Sequence, residues 1–136
     1  MKKVSFIDII FLVLSLVFLF GTKCAFHACA PKQDGSWMLC HWAEQVIVAL
    51  GVVFTVLSLS RFFIRDNKIK AGISISFVPL SVLTLLVPGV LVNLCMMKEM
   101  RCHTVMRPSV VVLSILIAAL SVVDSIVLLK NAKKAA

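Results

Sequence analysis

The stretch "AEQVIVALGVVFTVLSLSRFF", residues 43–63, carries only two formal charges, Glu44 near its beginning and Arg61 near its end. An apolar helix needs about 20 residues to cross the hydrocarbon core of a bilayer. Inside that core a helix pairs every backbone N–H and C=O within its own segment, which an isolated extended segment does not do. The stretch therefore predicts a membrane-spanning α-helix.

Three more segments have this character, at residues 7–21, 71–94 and 109–129. The chain is 61% hydrophobic and 15% charged, with a mean hydropathy of +1.08. A soluble domain has roughly 45–50% apolar and about 25% charged residues. The sequence predicts an all-α membrane protein, one domain over residues 1–136, folded as a four-helix transmembrane bundle of two helical hairpins. The first span resembles a signal peptide, but Asp8 interrupts it, so we expect it to be retained.

The basic residues are distributed unequally between the two sides of the predicted bundle, nine against five. The larger set is Lys2, Lys3, Arg61, Arg65, Lys68, Lys70, Lys130, Lys133 and Lys134. Because basic residues accumulate on the cytoplasmic side, both termini and the loop 64–70 are predicted to be cytoplasmic, and loops 22–42 and 95–108 to face outward. The basic residues flank apolar runs and form no recognition helix, so we expect lipid headgroups and no nucleic acid as their partners.

Prolines punctuate the third segment, at Pro79 and in the pair Pro88-Gly89. Proline removes a helix donor and kinks or ends a helix. The pattern favours a bent helix through residue 94, and the alternative is a break into a shorter helix or re-entrant turn within "VPGVLVNLC", residues 87–95.

Two acids, Asp8 and Asp124, lie inside apolar segments. Buried carboxylates in a membrane are costly and are often functional. Both lie near a predicted cytoplasmic end, so we interpret them as interfacial or paired acids, with Lys3 and Lys130 within reach, and not as a proton relay.

All five cysteines lie in or beside the two outward loops. An oxidising compartment favours disulfides, and the candidates are Cys29, Cys40, Cys95 and Cys102. The spacing favours Cys29 with Cys40 and Cys95 with Cys102, and leaves Cys24 over. Other connectivities stay open, because sequence does not choose among them.

A second interpretation of the outward loops is a metal or haem site, because Met-x-Cys-His occurs at both 38–41 and 100–103. Methionine, cysteine and histidine suit copper(I), and thiolate with imidazole suits zinc. The candidate ligands are Met38, Cys40, His41, Met100, Cys102, His103, His27 and Cys24. Since oxidised cysteines are no longer thiolate ligands and no C-x-x-C pair is present, we expect no cofactor in the leading interpretation.

A third interpretation is membrane thiol–disulfide exchange, which usually uses a closely spaced cysteine pair with a reactive thiol. The sequence supplies no such pair. It also contains no Ser-His-Asp set, no paired catalytic carboxylates and no phosphate-binding loop, so no enzyme is predicted.

Four stretches carry a family resemblance: "MLCHWAEQVIVALGVV" at 38–53, "ISFVPLSVLTLLVPGVLVNLC" at 75–95, "MRC" at 100–102 and "MRPSVVV" at 106–112. They resemble small four-span bacterial and archaeal membrane proteins of the domain-of-unknown-function 4418 type. Ala43 stands where threonine is common in that family, and His103 is not obligatory there.

The resemblance implies a plasma-membrane protein, of a kind often encoded beside MacB-like ABC transporters. It therefore implies an accessory or regulatory subunit that binds a permease and ATPase and presents a disulfide-stabilised cap outside. Metal or haem handling and thiol redox chemistry remain the alternative functions.

Overall fold

A computed structural model describes residues 6–24, 33–37, 39–93, 99 and 102–134 of the chain. Four α-helices and one π-helical turn account for most of these residues, and the described ranges contain no β-strand. The elements are α1 (Phe6–Cys24), α2 (Leu39–Phe63), α3 (Asn67–Leu86), the π-helical turn (Cys102–Met106) and α4 (Arg107–Lys134).

All four helices are long and apolar enough to cross a membrane. The prediction of an all-α, multi-pass membrane protein is confirmed. Polar residues at a membrane surface can continue a helix beyond its apolar run, because they remain in contact with water. Thus α2 begins four residues before the predicted span, and α4 ends five residues after it.

Helix α3 ends at Leu86, so the favoured prediction of a bent helix through residue 94 is wrong. Pro88 has no N–H to continue the helix, and Gly89 adopts a φ of 104°, in the left-handed region that favours glycine. The N–H of Leu91 bonds to the carbonyl of Leu86 at 3.0 Å, and that of Val92 to Val87 at 3.1 Å. These bonds satisfy the carbonyls that the helix end leaves unpaired.

The turn between α2 and α3 is shorter than the predicted loop 64–70 and contains only residues 64–66. Asp66 has an extended backbone, φ −79° and ψ 120°, at the N-terminal boundary of α3. Lys68 and Lys70 are therefore helical residues, and their side chains project at fixed positions around α3.

The π-helical turn leads directly into α4, with Pro108 at the second position of that helix. Proline cannot donate to the preceding turn and its ring displaces the carbonyl there. Wider π-type hydrogen bonding accommodates this displacement. The turn thereby joins His103 to the membrane-spanning part of the chain without a loop, although we expected His103 in a solvated loop.

The bundle consists of two helix pairs, α1 with α2 and α3 with α4, and the second pair makes the more extensive contact. Each helix buries positions spaced three and four residues apart, the pattern of a helix that packs along one seam. On α1 and α3 the buried positions are Asp8, Phe11, Ser15, Phe18 and Thr22, and Ala71, Ser74, Phe77, Ser81 and Thr84.

Candidate functional site

Arg61 lies in the interior of the bundle, two residues before the end of α2, and bonds to the other three helices. Its Nε donates to Oδ1 of Asp8 on α1 at 3.0 Å, and its Nη2 lies 2.9 Å from the same oxygen. Nη2 also donates to Oδ2 of Asp124 on α4 at 2.7 Å. The planar guanidinium thus uses its fork of donors to hold two carboxylates from two helices.

Ser74 on α3 completes this arrangement. Its Oγ accepts a hydrogen bond from Nη1 of Arg61 at 2.5 Å and lies 2.5 Å from Oδ2 of Asp124. A serine hydroxyl has one proton, and a carboxylate is a stronger acceptor than the backbone carbonyl of Lys70 at 3.1 Å. Ser74 therefore donates to Asp124.

Lys70, one turn before Ser74 on α3, supplies the second cation. Its Nζ donates to Oδ2 of Asp8 at 2.6 Å, and its side chain is 12% exposed. Asp8 thus accepts from Arg61 with one oxygen and from Lys70 with the other. We call these five residues the charge cluster: Asp8, Arg61, Lys70, Ser74 and Asp124.

The charge cluster is buried and electrically neutral, with two carboxylates and two cations. Arg61 and Asp8 are each 1% exposed and Asp124 is 2% exposed. Desolvating such charges is costly unless each is paired and hydrogen-bonded, and removing one partner leaves an uncompensated buried charge. The cluster therefore holds its four helices in one relative arrangement.

An aromatic layer covers the charge cluster on its interior side. The guanidinium carbon of Arg61 lies 4.7 Å from the ring centroid of Phe11, a cation–π contact. Phe77 contacts both Phe11, at 5.0 Å between centroids, and Phe54, at 5.5 Å. Phe18 contacts Phe54 edge to face at 5.8 Å. This layer separates the charges from the rest of the interior.

The sequence interpretation of the two acids was right about pairing and wrong about Asp124's partner. Lys130 is exposed, because six residues along a helix turn it about 240° around the axis from Asp124. Lys3 lies outside the described residues. Arg61, counted as a cytoplasmic topology residue, is instead the centre of the cluster.

One signal in the sequence would have identified Arg61. It follows Ile47 and Phe54 at intervals of seven residues, and Phe54 and Ile47 are both buried. A heptad interval places all three on the same helix face. An arginine on the buried face of a membrane span requires an acid on a neighbouring span, and Asp8 and Asp124 are the acids inside apolar segments.

Few of the residues predicted as outward disulfide or metal sites belong to the described part of the chain. His27, Cys29, Met38, Cys95 and Met100 lie outside it, as do the side chains of Cys40 and Cys102. Among the described residues, Cys24 carries a free thiol at an exposed position in the last turn of α1. The predicted disulfides and ligand set stay predictions.

His41 lies in the first turn of α2 between two tryptophans. Its ring stacks on Trp37 at 4.0 Å between centroids and 23° between planes, and it meets Trp42 edge to face at 6.1 Å. Both tryptophans are more than half exposed. Amphipathic rings of this kind are favoured at a membrane–water interface. His103, in the π-helical turn, is partly buried.

Within the described residues, no group of three or more His, Cys, Asp or Glu side chains is placed to hold a metal ion. The interactions that the described residues show are charge pairing in the interior and aromatic contact around His41 at one end of the bundle.

A family model described as "Domain of unknown function (DUF4418)" matches residues 11–127 of the chain. Comparison with curated proteins and comparison with solved structures gave no match. The matched range includes Arg61, Lys70, Ser74 and Asp124, but it begins three residues after Asp8.

Proposed function

Because the chain belongs to the DUF4418 family, whose members resemble accessory membrane subunits, we propose that it is an accessory or regulatory subunit of an ABC-transporter-type complex. One observation carries this proposal: the charge cluster joins all four helices at a single buried arginine. A bundle held in this way is suited to act as a fixed unit that binds a partner through its outer surface.

The outer surface of the bundle offers that contact. Large apolar side chains are exposed on every helix, including Phe20 on α1, Val56 on α2, Ile75 on α3 and Val123 on α4. Association of helices within lipid depends on close packing and not on apolar burial from water. Helix α3 supplies small exposed residues at one-turn spacing, Gly72 and Ser76, where another helix can approach closely.

The partner class follows from the resemblance, in which such proteins accompany a MacB-like permease and ATPase. We further propose a bacterial or archaeal plasma membrane, cytoplasmic termini, and outward loops in which Cys29, Cys40, Cys95 and Cys102 form a disulfide-stabilised cap. The cap would then contact the permease outside the membrane, and the bundle would contact it within the membrane.

Purification of the tagged protein from native membranes tests this proposal. We expect an ABC permease and its ATPase to copurify in a fixed ratio. Gly72→Trp places a bulky side chain on the exposed face of α3, and Leu59→Trp does the same on α2 as a control. If the partner binds α3, only Gly72→Trp should lose the copurifying proteins. Purified protein without ABC components, but with stoichiometric copper, zinc or haem, would instead favour metal handling.

The orientation is tested by single cysteines introduced at exposed positions in a background without native cysteines. Asn67→Cys should react only with membrane-permeant reagents, and Gln33→Cys and Glu99→Cys should react with impermeant reagents from outside. Reaction of Asn67→Cys from outside would overturn the orientation.

A further inference from the structure

The bundle end that contains the α2–α3 turn presents an uncompensated positive surface. Arg61 and Lys70 are balanced by Asp8 and Asp124 in the charge cluster. The exposed charges that remain among the described residues of this end are five cations against Asp66: Arg65, Lys68, Lys130, Lys133 and Lys134.

The opposite end differs in its described residues. There, exposed Lys23 and Arg107 are matched by exposed Asp34 and Glu99. Among the described residues, the excess of positive charge therefore lies at one end of the bundle. We call it the basic end.

Two cations of the basic end, Lys68 on α3 and Lys130 on α4, lie at a common height. Ser74 near the start of α3 contacts Asp124 near the end of α4, so the two helices run antiparallel. Six residues separate Ser74 from Lys68, and six separate Asp124 from Lys130. With the same rise per residue in both helices, Lys68 and Lys130 come to the same level.

On α4 the lysines continue the lipid-facing stripe. Val123, Ile126 and Val127 are exposed, and Lys130, Lys133 and Lys134 follow at the spacing that keeps them on that face. On α3, exposed Ile69 lies beside Lys68 and lines a shallow depression with Ile64, Arg65 and Asp66. An apolar stripe that passes directly into cations matches acyl chains that end in an anionic headgroup.

We propose that the basic end, centred on Lys130, Lys133 and Lys134 of α4, binds anionic phospholipid headgroups of the leaflet that it faces. The phosphate contacts the ammonium groups, and the acyl chains lie along Val123 and Val127. The inference does not rest on the proposed ABC complex, because it concerns the surface of the chain itself.

Native mass spectrometry of the purified full-length protein tests the proposal, with phosphatidylglycerol and phosphatidylcholine of identical chains offered at equal concentration. We expect the protein to retain phosphatidylglycerol preferentially. A basic residue near an anionic surface contributes roughly fivefold in affinity. The triple variant Lys130→Gln/Lys133→Gln/Lys134→Gln should therefore bind phosphatidylglycerol more weakly by on the order of a hundredfold. The charge-conserving triple arginine variant and Lys23→Gln should keep the preference.

Because the three lysines are exposed, thermal unfolding of the variants should match that of the parent protein, and this comparison separates lost binding from lost folding. Equal retention of the two lipids by the parent protein would overturn the proposal. So would an unchanged preference in the triple glutamine variant. Displacement of phosphatidylglycerol by an equal concentration of glycerol phosphate would show a phosphate site that does not use the acyl chains, and would also overturn it.

Discussion

The two helix pairs of the bundle are packed with different side chains. Between α1 and α2 the buried positions carry the large rings Phe11, Phe18 and Phe54, together with the hydroxyl residues Ser15, Thr22 and Ser58. Between α3 and α4 the buried positions are mostly small hydroxyl residues: Ser74, Ser81, Thr84, Ser114, Ser121 and Ser125. The second pair makes the more extensive contact, as expected where small residues let helix backbones approach.

The difference teaches how a membrane bundle can combine two modes of packing. Most of these hydroxyl side chains donate to a carbonyl of their own helix, as Ser121 does to Ile117 at 2.6 Å and Ser125 to Ser121 at 2.7 Å. The hydroxyl of Ser114 is buried and has no hydrogen-bond partner among the described residues. The rings of α1 and α2 need space instead, and Gly51 provides it. A Cβ at Gly51 would lie 3.2 Å from the ring of Phe18.

The two pairs contact each other less than the helices within each pair do. The links between the pairs are the ring of Phe77, which is tilted against Phe11 and stacked on Phe54, and the charge cluster. The charge cluster is the polar link, because Arg61 of the first pair bonds to Ser74 and Asp124 of the second.

The largest expected effect comes from breaking that link. Arg61→Met should destabilise the bundle by about 3–5 kcal/mol, since it leaves two buried carboxylates with Lys70 alone. Thermal and denaturant unfolding of the detergent-solubilised protein measure the loss. The matched control is Arg65→Met, four residues on and exposed, which should change stability by no more than about 0.5 kcal/mol.

Two further variants sharpen this result. Arg61→Met/Asp124→Asn should recover part of the loss, because one uncompensated charge is removed. Arg61→Lys should remain well below the parent protein, since one ammonium group cannot reproduce the fork geometry. Equal losses for the Arg61 and Arg65 variants would show that the cluster does not hold the two pairs together.

The next largest losses of stability should come from changes of side-chain volume: a reduction between α1 and α2, and an increase between α3 and α4. Phe54→Ala removes a ring that contacts Phe18 and Phe77, and we expect a loss of about 3 kcal/mol from the cavity. Ser121→Leu inserts volume where α3 and α4 are close, with a loss of about 1–3 kcal/mol. The same unfolding measurement compares them.

The control variants change the side-chain volume at each position as little as possible. Phe54→Leu keeps most of the volume, and Ser121→Ala keeps the seam small, so each should lose less than about 1.5 kcal/mol. If Ser121→Leu is as stable as Ser121→Ala, α3 and α4 do not approach closely at this position.

The smallest expected effect concerns the polar contact inside the first pair. The hydroxyls of Ser15 and Ser58 lie 2.7 Å apart between α1 and α2. Hydrogen bonds between membrane helices contribute about 0.6 kcal/mol on average. A double-mutant cycle with Ser15→Ala and Ser58→Ala should give a coupling of that size. The same cycle with Ser15 and exposed Ser60 serves as the control and should give none.

The number of spans and their approximate positions could be predicted from the sequence, because length and apolar composition decide them. The end of α3 was predicted too late, at residue 94, although Pro88 and Gly89 offered the break near Leu86 as the alternative. The boundary of α2 was placed late because His41 and Trp42 interrupt the apolar run without interrupting the helix.

The charge cluster could be predicted only in part. Asp8 and Asp124 are conspicuous in apolar surroundings, but their partner depends on which helices meet. Arg61 is 53 residues from Asp8 and 63 from Asp124 along the chain. Apolar periodicity assigns a face to each helix, yet pairing of faces is a tertiary property that no single segment encodes.

The stack of His41 on Trp37 gives the chain a built-in optical reporter. The chain contains two tryptophans and no tyrosine, and both indoles contact the same imidazole at one end of the bundle. Its tryptophan emission therefore originates entirely at that end, as far from the charge cluster as the length of α2 allows. A partner that lifts Trp37 from His41 should change the emission, whereas lipid bound at the basic end should leave it unaltered.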